Sequence, residues 1–185
     1  MIKRKINIFL IIWLLLLWTI RIVNVNRNDG VINMDISMQQ IFYYGGLSII
    51  PTESHLYTIT EFQQVMDTEV ETEQDDAYIV CVKFRVKNET GEVLGWDEIM
   101  DCMGYGFESL TWYSAYEPFL GVKINRFSAE NLEQNEEADV WFATQVRKEC
   151  FQEKNWEKID EQEFYYVIDV YPNPVKVKLE IREET

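Results

Sequence analysis

The chain has 185 residues, 47% hydrophobic and 14% aromatic, with 32 acidic against 17 basic side chains and a formal net charge of −15. Every acid lies at or after Asp29, where only 12 of the basic residues remain, so that stretch carries a formal charge of −20. A body of this sign repels phosphate backbones, which argues against nucleic acid as a partner, and it attracts cations or basic surfaces; dispersed acids also keep a fold in solution.

The first element is an apolar run from Ile6 to Ile20, interrupted only by Asn7 and Thr19 and preceded by Lys3, Arg4 and Lys5. At a helical rise of ~1.5 Å per residue such a run falls short of the ~30 Å hydrocarbon core, as a signal peptide does. Ile22, Val23 and Val25 lengthen it to a spanning segment, residues 6–25, if Arg21 snorkels to the interface. The exit sequence WTIRIVNVNRN offers bulky or β-branched side chains where signal peptidase needs small ones. The expectation is a retained transmembrane helix within residues 1–28, with a cleaved signal peptide as the alternative. The basic residues ahead of the span keep the N-terminus cytoplasmic, although Arg21 and Arg27 weaken the asymmetry. Residues 29–185 then form a single acidic extracytoplasmic domain, a common domain size.

Within that domain VINMDI and HLYTITEF read as short strands, and DTEVETEQDD as a solvated acidic loop. The clearest strand is AYIVCVKFRVKN. There Tyr78, Val80, Val82, Phe84 and Val86 alternate with Ile79, Cys81, Lys83, Arg85 and Lys87, the pattern of a half-buried strand. Asn88 and Gly91 in KNETGEV predict a tight reversal and a hairpin. A helix start at Ser128, Glu130 and Asn131 supports a turn or two at most, and ADVWFATQV returns to strand. At the end, a strand from Phe164 to Tyr171 precedes another with Val175, Val177, Leu179 and Ile181 on one face. Pro172, Asn173 and Pro174 between them predict a crossing or corner. Short strands at this spacing indicate an all-β, antiparallel sandwich or barrel.

The strand ending in VKNETGE, the later NLEQNEEADVWFATQV and the closing FYYVIDVYPNPVKVKLEI together resemble the uncharacterised immunoglobulin-like extracytoplasmic domains of Gram-positive bacteria, carried behind a single anchor or lipid signal. The resemblance covers roughly residues 35–181 and implies an immunoglobulin-like β-sandwich at the cell surface, with no activity attached. The chain departs from it in lacking a cysteine just after the apolar run, the first being Cys81.

Signals for chemistry are sparse. His55, the single histidine, neighbours Ser54 and Glu53, but triad members meet across a fold rather than along a chain, and a loop histidine is the plainer reading. Asp97, Glu98 and Asp101, or Glu71, Glu73, Asp75 and Asp76, could offer hard oxygen ligands, although acidic loops are usually just solvated. The G-x-G in CMGYGFES lacks the third glycine and the βαβ setting of a dinucleotide site. Cys81, Cys102 and Cys150 allow at most one bridge and form no C-x-x-C. No enzyme, cofactor or metal is therefore expected, and no small-molecule ligand can be named. The suggestive stretch is LTWYSAYEPF, in which Trp112, Tyr113, Tyr116 and Phe119 form a contact surface if exposed and ordinary core if buried, with at least one of Trp112 and Tyr116 expected outside. The functional expectation is a tethered binding module that engages another envelope protein. The alternative is an accessory or immunity-type membrane protein whose anchor takes part in recognition.

Overall fold

The computed structural model describes residues 13–21, 34–70, 76–125, 131–171 and 173–181. The chain divides into two compact units, Met1–Ile32 and Asn33–Thr185. In the first, residues 13–21 form helix α1, whose Trp13, Leu14 to Leu17, Trp18 and Ile20 are all exposed. Among the described residues no helix is long and apolar enough to cross a membrane. The sequence expectation of a span over residues 6–25 falls largely outside them.

The second unit is a β-sandwich. One sheet has the order β1 (Met34–Ile36), β11 (Val175–Lys178), β10 (Phe164–Asp169), β6 (Gly106–Ser109), β7 (Trp112–Ala115). The other has the order β2 (Phe42–Tyr44), β3 (Leu47–Thr58), β4 (Ala77–Asn88), β9 (Glu137–Arg147), and a two-stranded ladder joins β5 (Leu94–Gly95) to β8 (Asn131–Leu132). All pairings are antiparallel except β1 with β11, so the expected antiparallel sandwich carries one parallel edge. Helices α2 (Ile59–Met66), α3 (Trp96–Met103), α4 (Pro118–Ile124) and α5 (Glu153–Trp156) also belong to this unit, so the protein is mostly rather than purely β.

The main core lies between the sheets. Val80, Val82, Phe84 and Val86 of β4 and Val140, Phe142 and Val146 of β9 meet Phe107, Phe164, Tyr166, Ile168, Val175 and Val177 of the opposite sheet. Tyr166 is the hub. Its ring lies 4.9 Å from Phe107, 5.2 Å from Phe84 and 5.1 Å from Phe142. Its buried hydroxyl donates to the Met103 carbonyl at 2.7 Å, and burial drives the phenol pKa well above normal.

The strand at 77–88 is present in the expected register, but it is not half-buried along its whole length. Ile79 and Cys81 face away from the main core and are nevertheless fully buried, because Phe62 of α2 and Leu120 and Ile124 of α4 cover them in a second core with Tyr57 and Ala143. Only from Lys83 onward is that face polar. There Lys83 reaches Glu53 and Asp139, each at 3.1 Å, and Arg85 reaches Asp139 at 3.2 Å.

Three local expectations are corrected, and a fourth lies largely outside the described residues. HLYTITEF is not one strand: β3 ends at Thr58, which caps α2 through a capping box with Glu61. No hairpin follows β4, because β5 pairs with β8. Instead the buried Asn88 amide donates to the Glu92 and Leu132 carbonyls at 2.8 and 2.9 Å and accepts from the Thr90 N–H at 2.9 Å, pinning the loop from inside. The segment around Pro172 to Pro174 is no crossing, since β10 and β11 are neighbours with Tyr166 opposite Val177; a register shift between Val167 and Asp169 absorbs the geometry. Ser128 and Glu130 lie outside the described residues, and Asn131 belongs to strand β8. A further hairpin has a plain signal in Tyr44-Gly45-Gly46-Leu47. Its two glycines adopt φ of 57° and 80° between β2 and β3, as a two-residue hairpin requires.

The two-sided burial of β4 sets a stability pattern. Ile79→Ala is expected to cost about 2–5 kcal/mol and Phe84→Ala about 3–5 kcal/mol, though they face opposite ways, while Arg85→Ala costs no more than about 1 kcal/mol. Urea titration of the sandwich checks this, and an Ile79→Ala loss as small as that of Arg85→Ala overturns the second core.

Candidate functional site

Alternation along β7 divides the aromatic segment. Trp112 is only 8% exposed, stacks on Phe151 at 6.0 Å and meets Phe164 edge-on at 6.1 Å. Tyr116 is half-buried with its ring edge-on to Phe142 at 5.5 Å. This pair therefore belongs to the packing of the sandwich, against the expectation that one of them stands free. The exposed members are Tyr113, at 51%, and Phe119, at 89%.

Tyr113 lies on the outer face of the five-stranded sheet. It stands opposite Glu108, which stands opposite Tyr165, which stands opposite Lys178, and its ring is 6.0 Å from exposed Tyr105. Burial first, then the proximity of Tyr105, to which its hydroxyl donates, and the Glu108 charge raise the Tyr113 pKa. Two ion pairs lie on this face, Lys176 with Glu108 and Lys178 with Glu163, each at 2.5 Å. The Lys178 bond holds the Glu163 carboxyl below its ordinary range. This is a polar, tyrosine-bearing surface.

Phe119 belongs to α4, which runs beside the free edge of β9. Asn125 meets that edge as a strand would, its Oδ1 accepting from the Trp141 N–H at 2.7 Å and its Nδ2 donating to the Trp141 carbonyl at 2.8 Å. Glu117 continues the seal: its backbone N–H donates to the Ala143 carbonyl at 3.0 Å, and its Oε1 accepts from the Gln145 N–H at 3.0 Å. Beside this seal lies a cleft of about 320 Å³ lined by Glu69, Val70, Glu117, Phe119, Leu120, Lys123 and Gln145. The sequence reading named Phe119 but neither Glu117 nor Gln145. They are far apart along the chain and carry no local motif; only the pairing of α4 with the β9 edge unites them.

The other sequence candidates separate in space. His55 stands on β3, not in a loop, stacked on Tyr57 at 4.9 Å with its Nε2 3.9 Å from Glu53. Ser54 points to the opposite face, where its hydroxyl donates to the Glu180 carbonyl at 2.8 Å, so the three neighbours do not assemble a triad. Asp97, Glu98 and Asp101 ride on α3, with Glu98 accepting from the Gly95 N–H at its start. Glu71, Glu73 and Asp75 lie outside the described residues, and Asp76 pairs with Lys148 at 3.1 Å. Among the described residues no group of three or more His, Cys, Asp or Glu is placed to hold a metal. Gly104 lies against the Tyr116 ring and Gly106 against the Ser114 carbonyl, so both glycines serve close packing. Cys81, Cys102 and Cys150 are free thiols.

No protein-family model matches the chain, and no curated protein matches it. Among solved structures, an uncharacterized β-sandwich protein from Clostridium difficile 630 resembles it with a TM-score of 0.50 and 9% identity, covering 80% of this chain and 95% of that one. A conserved hypothetical protein from Bacillus anthracis gives a TM-score of 0.47 and 10% identity over the same shares. The first likeness shows a shared β-sandwich fold.

Two measurements test the partition of side chains. Trp112→Ala is expected to cost about 3–5 kcal/mol in a urea melt, and Phe119→Ala no more than about 0.5 kcal/mol; equal losses refute the division. Tyr44 donates to Asp169 at 2.8 Å, and burial first, then this bond, pushes its pKa up to about 12. A raised folded-state value gives stability that is complete below the unfolded phenol's ~10 and is lost as pH rises through the folded value. Relative to wild type, Tyr44→Phe should therefore show no extra loss between roughly pH 10 and 12. Parallel curves in that window count against the bond.

Proposed function

We propose that this protein is a membrane-tethered binding module: an immunoglobulin-like sandwich held outside the cytoplasmic membrane by residues 6–25, engaging another envelope protein. The observation that carries the tether is α1, in which Trp13 to Trp18 and Ile20 form an exposed apolar run that goes all round the helix and ends at Arg21. The Thr19 hydroxyl donates to the Leu15 carbonyl at 2.8 Å, so that polar group is met within the helix.

Strand order supports the immunoglobulin-like reading. Neighbours β3-β4-β9 and β11-β10-β6-β7 follow the A-B-E and G-F-C-C′ connectivity of that class. Binding rather than catalysis is favoured by the way the sheet pleat turns Ser54 away from His55, and by the tyrosine face and the cleft, which give a partner two chemically distinct surfaces.

Protease added to spheroplasts should digest the chain beyond roughly residue 28 while the anchor stays with the membrane fraction. A soluble form beginning near residue 25 would overturn the tether. Exchanging the first 27 residues for an unrelated anchor should leave crosslinked partners unchanged, and their loss would favour a protein that recognises its partner within the bilayer.

A further inference from the structure

We propose that the corner of the sandwich formed by the loop after β10 and the start of β1 rests on the lipid surface of the membrane through Tyr171, Val170 and Met34. The inference rests on the tether of residues 6–25 and goes beyond it, since a tether alone leaves the domain free to turn any side toward the bilayer.

Three exposed apolar side chains gather at this corner. Tyr171 is 82%, Met34 45% and Val170 41% exposed, and the Met34 N–H donates to the Pro174 carbonyl at 2.9 Å, which sets the start of β1 beside the loop. The loop is held from within the domain. Asp169 accepts the N–H groups of Val170 and Tyr171 on Oδ1, at 2.7 and 3.2 Å, and the Tyr44 hydroxyl on Oδ2 at 2.8 Å. The carboxylate next to the apolar side chains is thereby engaged, and two backbone donors that lipid could not satisfy are met.

Where the chain enters the domain decides what covers this corner. Val25, the last residue of the proposed span, precedes Met34 by nine residues, and a fully extended chain covers at most ~3.6 Å per residue, so β1 starts within about 32 Å of the end of the span. A patch of three side chains is too small for a stable protein interface, which buries roughly 800 Å² on each partner. Lipid needs no such area, because a short linker holds the corner near the bilayer at high effective concentration. Tyrosine suits that boundary, its ring apolar and its hydroxyl wet. Charge selects the corner rather than the whole end of the sandwich. The loops of the four-stranded sheet at the same end, placed there by the pairing of Asn88 with Leu47 and of Leu47 with Tyr44, expose Glu89, Glu92, Glu133 and Glu136, which phosphate headgroups repel. Residues 170–174 carry no charge.

The test places the full chain in nanodiscs of equal parts phosphatidylcholine and phosphatidylglycerol, with and without lipid carrying a nitroxide near the glycerol end of its acyl chain, and follows methyl resonances. The Val170 methyls should broaden several-fold more than those of Leu110, 93% exposed at the far end of the sandwich where Ser109 stands opposite Phe164, and more than those of Val93 in the acidic loops. Tyr171→Ser, at an exposed position, should remove most of the Val170 broadening while core methyls such as those of Val82 keep their shifts. Equal broadening at Val170 and Leu110, stronger broadening at Val93, or Val170 broadening that survives Tyr171→Ser overturns the proposal. Loading is scored separately: chains that fail to co-elute with the discs refute the tether and the contact with it, whereas loaded chains whose Val170 methyls stay sharp refute the contact and leave the tether standing.

Discussion

A strand with two apolar faces needs two partners, and that constraint organises this molecule. The N-terminal half of β4 presents Val80 and Val82 to one side and Ile79 and Cys81 to the other, all fully buried. The opposite sheet covers the first face. The second would leave Ile79 and Cys81 in water, at a cost of about 25 cal/mol per Å² of apolar surface, without α2 and α4. Burial then governs chemistry: the Cys81 thiol, desolvated on that face, has its pKa driven far above normal and is inert as a nucleophile. The polar end of the same face, with Lys83, Arg85, Glu53 and Asp139, begins where the helices stop.

Holding α4 on the sheet has a consequence at the edge. Exposed strand edges invite pairing with other chains, and β9 is the long edge of its sheet. Asn125 and Glu117 occupy its outward groups at Trp141, Ala143 and Gln145. Beyond them the edge carries Asp139 and Glu137, whose charge discourages a further strand. The helix that completes the second core thereby also blocks aggregation, and the cleft is the space left where its first turn departs from the strand.

The sequence was legible where side chains alternate against water. Val82, Phe84 and Val86 against Lys83, Arg85 and Lys87 gave the strand and its register, and Val175 and Val177 did the same at the end. It was less legible where helices replace water as the second face, because Ile79 and Cys81 look the same whichever layer covers them. The start of α2 did carry a signal, Thr58 followed three residues later by Glu61, but the preceding alternation absorbed it into a strand. The segment containing Trp112 and Phe119 was singled out for its density of aromatic side chains. Its division between core and surface was not readable, since it depends on β7 ending at Ala115 and Pro118 opening a helix that turns Phe119 outward.

The outer surface follows from how each face is used. On the five-stranded sheet, Val167 points away from the core yet is fully buried, among neighbours that include Lys176 across the ladder. Ion pairs there join Lys176 to Glu108 and Lys178 to Glu163, while Asp35, opposite Lys176, stays exposed beside the tyrosines. Exposed pairs of this kind add little to stability, with a median near 0–1 kcal/mol, and their effect is mainly to neutralise the lysines within the domain. Glu117 differs from these acids: among the described residues its carboxylate accepts from neutral donors, Gln145 and Thr144, and it lines a cleft with Phe119 and Leu120.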